Sequence, residues 1–206
     1  MSIEVYVAFA LATSLMILLP GPSVMLTVSH SLTFGAPKAL FTVTGAVAAI
    51  AVQFAVAIAG MTSFMLLMAE WFEVLRWAGV AYLIWLGVRQ WRAPVAPDGA
   101  VEPRSAAASS LFLQGFMVTL GNPKSLIFLA AFLPQFLTPG APLAPQVALM
   151  APTFLLIGFI ITALWALVAG HARRWFQGPR RLKLRNRVAG GLMIGAGAAL
   201  AAVRRG

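Results

Sequence analysis

One stretch of the sequence places a charged side chain where a membrane would be driest. Residues 120–125 read Leu-Gly-Asn-Pro-Lys-Ser and lie within an apolar run from about Leu111 to Leu137. A lysine at the centre of a spanning helix costs roughly 2.5 to 3.5 kcal/mol on insertion scales, so such a charge is functional by default. The stretch therefore predicts a ligand site in which Lys124 acts beside a broken helix.

A second stretch, residues 19–23, reads Leu-Pro-Gly-Pro-Ser and interrupts the first apolar run in the same way. Interrupted hydrophobic segments at corresponding positions of two half-sequences are the best sequence indication of a transporter's substrate site. Proline lacks a backbone N–H and clashes with the preceding turn, so each stretch breaks its helix. We expect Pro22 and Pro123 to begin new half-helices, with Gly21 and Asn122 at the N-caps.

The exposed N-terminus of a half-helix carries a partial positive charge, which suits a carboxylate. Lys124 adds a full charge, while nearby hydroxyl and amide groups can hydrogen-bond an ammonium or a side chain. In the alternative interpretation, Lys124 binds backbone carbonyls freed by the break and only fixes the helix geometry. The candidate substrate-binding residues are Pro20, Gly21, Pro22, Ser23, Thr27, Gly121, Asn122, Pro123, Lys124 and Ser125.

Composition limits what the rest of the chain can be. The 206 residues are 61% hydrophobic and 10% charged, with a mean hydropathy of +0.90. The chain therefore has too few polar residues to form the surface of a soluble globular protein, and it is interpreted as an integral membrane protein. The sequence has no cysteine, and its two histidines are far apart, so neither a metal site nor a cofactor is indicated. The formal net charge is +10, and the basic residues that produce it lie next to apolar runs. This position predicts contacts with anionic lipid headgroups rather than with nucleic acid.

Six apolar runs have about the length that crosses a bilayer. The N-terminus has neither a basic residue nor an Ala-x-Ala cleavage site, so the first run is interpreted as a retained span and not as a signal peptide. The fold class predicted is an all-α integral membrane protein with six transmembrane helices. The runs extend from about Ile3 to Leu32, Ala39 to Met61, Trp71 to Val88, Leu111 to Leu137, Val147 to Gly170 and Val188 to Val203.

Basic residues give the orientation, because they concentrate in cytoplasmic loops. They follow the first, third and fifth spans, with seven of them between residues 173 and 187, which are interpreted as a loop. Both termini are then predicted to lie outside, although Arg204 and Arg205 argue weakly for the opposite. The basic residues in these three connections are Lys38, Arg89, Arg92, Arg104, Arg173, Arg174, Arg180, Arg181, Lys183, Arg185 and Arg187.

The two halves of the chain resemble each other at their breaks, which align on Pro22 and Pro123. A repeat of three spans inserts upside down relative to its copy, so we predict an inverted 3+3 repeat with broken first and fourth helices. The whole chain, 1–206, is then one transmembrane domain, with repeat one at about 1–92, a linker at 93–110 and repeat two at 111–206. The alternative is that glycine and proline are simply common in membrane helices.

Several polar or small residues within the spans have two interpretations. Gln53 and Gln114 either bond neighbouring helices or line the path, and His30 is expected near the cytoplasmic interface. Gly191 and Gly195 form a GxxxG pattern that suits close packing, either within one chain or in a homodimer.

The acidic residues, all at predicted span ends or loops, offer no paired carboxylates or nucleophile with a base, so an enzyme is not expected. An ion or metal-cation exporter would require buried acidic, thiol or imidazole ligands, which the sequence lacks. A membrane scaffold protein without transport activity would leave the intramembrane charge of Lys124 unexplained. Because no nucleotide-binding loop is present, proton antiport is the default driving force for a transporter.

Both motifs also carry a family resemblance. Residues 20–22, followed by Gly35, Lys38 and Gly45, resemble the N-terminal signature of the LysE-type amino-acid exporters, the lysine exporter and homoserine/threonine resistance branches. Residues 121–125, followed by two phenylalanines and by 133–136, resemble that family's central signature. The resemblance covers essentially the whole chain and implies a small exporter of amino acids or their derivatives in the bacterial inner membrane. Ser23 departs from the family pattern, since many members of the neutral amino-acid branch carry Asp or Asn there.

Overall fold

The computed structural model of the protein describes residues 1–59, 64–94, 106–138, 140–175 and 179–201, and within these ranges the regular elements are all helices. The predicted all-α class is therefore confirmed. Two short 3-10 helices occupy Leu133–Phe136 and Arg173–Trp175. The α-helices are α1 (Ile3–Leu18), α2 (Pro22–Phe34), α3 (Ala36–Ala59), α4 (Phe64–Trp91), α5 (Ala108–Leu120), α6 (Pro123–Ala131), α7 (Leu143–Ala172) and α8 (Pro179–Ala201).

Both predicted helix breaks are present, and each new helix begins at the expected proline. The first break separates α1 from α2 with a bend of 55°, and Gly21 is the N-cap of α2. At the second break Asn122 is the N-cap of α6, where its side chain accepts a hydrogen bond from the Lys124 backbone N–H at 3.1 Å. Proline at the first helical position has no N–H to leave unpaired, so it starts these helices without cost.

Within the described residues, two helical stretches are long and apolar enough to cross a membrane. They are Ala36–Ile58 and Leu143–Trp175, and α1 with α2 makes a third if the bent pair counts as one span. Helices α4 and α8 are also long, at 28 and 23 residues, but they include several charged residues. Six spans therefore remain a prediction.

The interpretation of residues 173–187 as a loop is wrong. A 3-10 helix begins at Arg173, and α8 begins at Pro179, nine residues before the predicted start of the sixth span. Lysine and arginine are good helix formers, so α8 includes the basic residues that precede the apolar part marked by hydropathy. Helix α4 also begins before its predicted start, at Phe64 instead of Trp71, although the added residues 64–70 include no lysine or arginine. The ends predicted at 61 and 203, Arg204 and Arg205, and most of the linker 93–110 lie outside the described residues.

Helices α3 and α5 pack backbone to backbone, which brings α3 against the second break. A Cβ built on Gly45 would overlap the carbonyl oxygen of Phe112 and lie 2.8 Å from its carbon. A Cβ on Gly115 would meet Thr42 in the same way, at 2.9 Å from the carbonyl carbon. Only residues without a side chain allow this approach.

Helices α4 and α8 form the other extensive pair. A Cβ on Gly190 would lie 2.6 Å from the carbonyl oxygen of Gly87, and one on Gly197 would lie 3.0 Å from the side chain of Ile84. Two glycines next to the GxxxG pattern, Gly190 and Gly197, therefore pack within the chain. Gly195 of the GxxxG pattern is different, because a Cβ there would meet no atom of the described residues within 4 Å.

Aromatic packing holds α6 in place after the second break. Phe128 of α6 and Phe154 of α7 have ring centroids 5.7 Å apart, and Phe154 also packs against Phe9 of α1 and Phe54 of α3. These rings belong to one buried cluster. The half-helix that carries Lys124 is thus anchored to α1, α3 and α7.

Candidate functional site

The two helix breaks meet in the structure, although about a hundred residues separate them in sequence. Ser23 Oγ, in the first turn of α2, accepts hydrogen bonds from Asn122 Nδ2 at 3.1 Å and from Thr119 Oγ1 at 2.9 Å. Asn122 caps α6 and Thr119 lies in the last turn of α5. We call the residues 19–23 and 119–125 together the break junction.

Lys124 reaches across the break junction from α6 to the first break. Its Nζ donates a hydrogen bond to the carbonyl oxygen of Leu19, and its stem passes over Gly21, where a Cβ would lie 3.3 Å from Lys124 Cδ. In a continuous helix the Leu19 carbonyl would accept from the N–H four residues later, so the break leaves it available. The contact is the one expected if Lys124 binds a freed carbonyl.

Gln53 of α3 performs the same task at the second break. It is 3% exposed, and its Nε2 donates to the carbonyl oxygens of Thr119 at 2.8 Å and Leu120 at 2.9 Å. Its Oε1 has no hydrogen-bond partner among the described residues. Gln53 therefore bonds a neighbouring helix, the first of its two interpretations, and the helix end that it bonds belongs to the break junction.

Thr27 and Ser125 hold their own helices instead of facing the partner break. Thr27 Oγ1 donates to the Ser23 carbonyl at 3.0 Å and is fully buried, and Ser125 Oγ donates to the Asn122 carbonyl at 3.1 Å. Such local bonds occupy the hydroxyl hydrogen. Among the other candidates, Pro20 is exposed and Gly121 is buried beside the cap.

Sequence reasoning missed Thr119 as a member of the site. A signal for it exists, because a helix-breaking proline removes the bond to the carbonyl four residues before it, and Thr119 stands four residues before Pro123. The interaction of Gln53 with that carbonyl is a tertiary contact that no local pattern indicates.

His30, expected at the interface, is buried within the bundle. It is 2% exposed, its Nδ1 lies 2.7 Å from Thr42 Oγ1 of α3, and its ring packs against Phe34. In the described part of the chain, no three His, Cys, Asp or Glu side chains are grouped as metal ligands.

The comparisons with known proteins agree with the resemblance of the motifs. The family model for LysE type translocators matches residues 14–203. A homoserine/homoserine lactone efflux protein of Salmonella typhimurium is 32% identical over 204 residues, which cover 99% of each chain. A leucine efflux protein of Klebsiella pneumoniae is 27% identical over 97% of this chain and 95% of its own. No solved structure matches significantly. The chain is a membrane protein that belongs to the LysE-type translocator family.

Proposed function

We propose that this protein is a secondary transporter that exports amino acids or amino-acid derivatives across the bacterial inner membrane. Family membership indicates a transporter rather than an enzyme, and full-length relatives are named for the efflux of homoserine, homoserine lactone and leucine. The observation that carries the proposal is the break junction, where two half-helix N-termini and Lys124 converge on one place.

The break junction is proposed to bind the substrate carboxylate near the membrane midplane. Lys124 Nζ donates to a neutral carbonyl oxygen in the structure, and a carboxylate is a stronger acceptor for an ammonium. A substrate carboxylate would therefore replace Leu19 as the partner of Lys124. The N-termini of α2 and α6 add partial positive charge at the same place. This exchange would couple substrate binding to the contact that joins the two breaks.

The proposed architecture is the inverted 3+3 repeat in one transmembrane domain, with α4 and α8 as the third span of each repeat. Its support is the packing pattern. The broken pair α1 and α2 packs against α7, and α5 with α6 packs against α3, while α4 packs against α8. These three pairings are what two repeats related by a two-fold axis in the membrane plane would produce, whereas the packing of α2 on α8 has no comparable counterpart between α4 and α5 or α6 in the described ranges.

The proposed topology, with both termini outside, gives a direct test. A reporter that is fluorescent only in the cytoplasm should stay dark when fused to the C-terminus and should light up when fused after residue 94, which follows α4. The reason is the basic residues after the first, third and fifth spans. Fluorescence from the C-terminal fusion would contradict the topology, and a dark fusion at 94 would contradict the six-span order.

Export is proposed to be driven by the proton gradient. Inverted membrane vesicles containing the protein should accumulate labelled L-homoserine or L-leucine only when a pH gradient is imposed, and a protonophore should abolish the accumulation. Accumulation of the labelled amino acid to the same level with and without a pH gradient would contradict proton coupling. Uptake of divalent metal cations in place of amino acids would favour the rival function, an ion or metal-cation exporter on a related scaffold.

Homoserine lactone tests the carboxylate site within the same assay, because it lacks the free carboxylate of homoserine. Hydrogen bonds to a charged group contribute roughly 1.5 to 3 kcal/mol, so L-homoserine should compete for transport about tenfold or more better than its lactone. Vesicles from cells without the protein are the control. If the two compounds compete equally, the proposed export stands, but the proposal that the protein recognises the substrate carboxylate is contradicted.

A further inference from the structure

A cavity of about 400 Å³ lies between α2, α4, α5 and α8, away from the break junction. It forms where α4 and α5 scarcely touch, although α2 and α4 both pack along α8. His30 in its wall stands two turns beyond Pro22, about 12 Å along α2, and Ser110 stands three turns before Gly121, about 16 Å along α5. The lining residues are His30, Thr33, Phe34, Leu86, Arg89, Gln90, Ala106, Ala107, Ser110, Gln114 and Met193.

One side of this cavity carries groups whose chemistry suits an anion. Arg89 carries a permanent charge, and its guanidinium lies over the ring of Trp85 at 5.5 Å from the centroid. Ser110 Oγ accepts a hydrogen bond from Gln114 Nε2 at 3.0 Å, which leaves the hydroxyl hydrogen of Ser110 to donate. A guanidinium presents two parallel N–H groups that match a carboxylate.

The first turn of α5 adds to this anion-binding side. Ala107 is the N-cap and provides no side-chain acceptor for the first N–H groups of the helix. Both Ala106 and Ala107 line the cavity, so the positive end of α5 is at its wall.

The remaining walls suit the rest of a small amphipathic molecule. Phe34, Leu86 and Met193 are apolar, whereas His30 and Thr33 are polar and buried. The Thr33 hydroxyl has no hydrogen-bond partner among the described residues. A volume of this size is within the usual range for small-molecule sites, which combine apolar walls with a few polar groups.

The cavity lies at the end of the molecule where basic residues collect. Phe34 in its wall precedes Gly35, and a Cβ on Gly35 would lie 3.0 Å from the Arg173 guanidinium. Arg89 and Arg92 are at the end of α4 on the same side. This end is cytoplasmic under the proposed topology, so it faces the compartment from which an exporter takes its substrate.

We propose that this cavity is a second substrate site, a cytoplasmic loading site in which Arg89 and the first turn of α5 bind the carboxylate of an amino acid before it reaches Lys124. The inference rests on the proposed export of amino acids. It adds a separate binding step about two helical turns from the break junction.

The native chain has no cysteine, so a single introduced thiol can report on the cavity. In inverted vesicles, L-homoserine or L-leucine should slow the reaction of a Ser110→Cys variant with a membrane-impermeant thiol reagent about fivefold or more. Leucinamide, which lacks the carboxylate charge, should not. The matched control is Ser109→Cys, an exposed neighbour that does not line the cavity, and its labelling should be unaffected.

Two second-site changes show where the protecting amino acid is bound. Arg89→Gln in the Ser110→Cys background should abolish protection, whereas Arg92→Gln, an exposed residue one position past α4, should not. Lys124→Gln should leave protection in place, because the cavity binds the amino acid independently of the break junction. Protection that depends on Lys124 and not on Arg89 would assign the effect to the break junction and overturn the loading site.

The remaining outcomes separate this inference from the proposed function. Labelling of Ser110→Cys at the same rate with and without amino acid, in a protein that transports amino acids, would overturn the loading site alone. Protection that follows the content of anionic lipid in the vesicles, and not the amino acid, would assign the cavity to a lipid headgroup and overturn the proposal. Absence of amino-acid transport by the unmodified chain would instead reject the proposed function.

Discussion

Replacing Lys124 with glutamine is expected to leave the protein folded and inserted but to weaken amino-acid binding about 10- to 150-fold. The range corresponds to the roughly 1.5 to 3 kcal/mol of a hydrogen bond to a charged group. Insertion should not suffer, because the substitution removes a charge from an apolar run. Apparent affinity and folded yield in the membrane should be measured together, with Lys183→Gln, which removes an exposed charge from α8, as the control.

The contact between Lys124 and Leu19 provides the competing expectation. If Lys124 only joins the two breaks, Lys124→Gln should lower the folded yield while the surviving protein keeps its affinity. Lys124→Arg separates the two roles further. A planar guanidinium keeps the charge but cannot occupy the place of a compact ammonium over Gly21, so affinity should recover only in part. Normal affinity in well-folded Lys124→Gln protein would end the carboxylate proposal.

The breaks could be predicted from the sequence because proline acts on its own helix. Pro22 and Pro123 each remove one N–H and clash with one turn, and these local effects fix where α2 and α6 begin. The start of α8 could not be predicted in this way. Hydropathy marks the apolar part of a helix, whereas α8 also includes the five basic residues that precede that part.

The contacts between helices could not be predicted from sequence patterns. The similarity of the two breaks placed them in equivalent positions, but it did not show that Ser23 would bond Asn122 or that Gln53 would bond Thr119. The cavity at Arg89 is the extreme case. It exists because α4 and α5 make few contacts with each other, and no motif in either helix encodes that gap.

The glycines of α3 and α5 show how contacts between helices determine the geometry of the break junction. Gly45 was recognised only as part of a family signature, yet it sets the distance between these two helices. The same two helices carry Gln53 and the carbonyls of Thr119 and Leu120 that it bonds. A change in the spacing of α3 and α5 therefore reaches the break junction through Gln53.

Gly45→Ala is accordingly expected to destabilise the protein by roughly 1 to 3 kcal/mol, the usual cost of overpacking. The added Cβ would overlap the Phe112 carbonyl oxygen, and both atoms belong to backbone, so α3 and α5 must move apart. Within a helix the same substitution is otherwise favourable by about 0.5 to 1 kcal/mol, because alanine loses less conformational freedom than glycine.

The matched control is Gly195→Ala in α8, where the new Cβ meets nothing within 4 Å in the part of the chain that the structure describes. It should be neutral or slightly stabilising, so the two identical substitutions should change stability in opposite directions. Thermal unfolding in detergent measures the difference, at roughly 2 to 4 °C for each kcal/mol in a chain of this size. Gly45→Ala should also weaken amino-acid binding, because separating α3 from α5 pulls Gln53 away from the helix end at the second break. If Gly45→Ala melts no lower than Gly195→Ala, the two backbones do not approach as closely as described, and the link from Gln53 to the break junction loses its support.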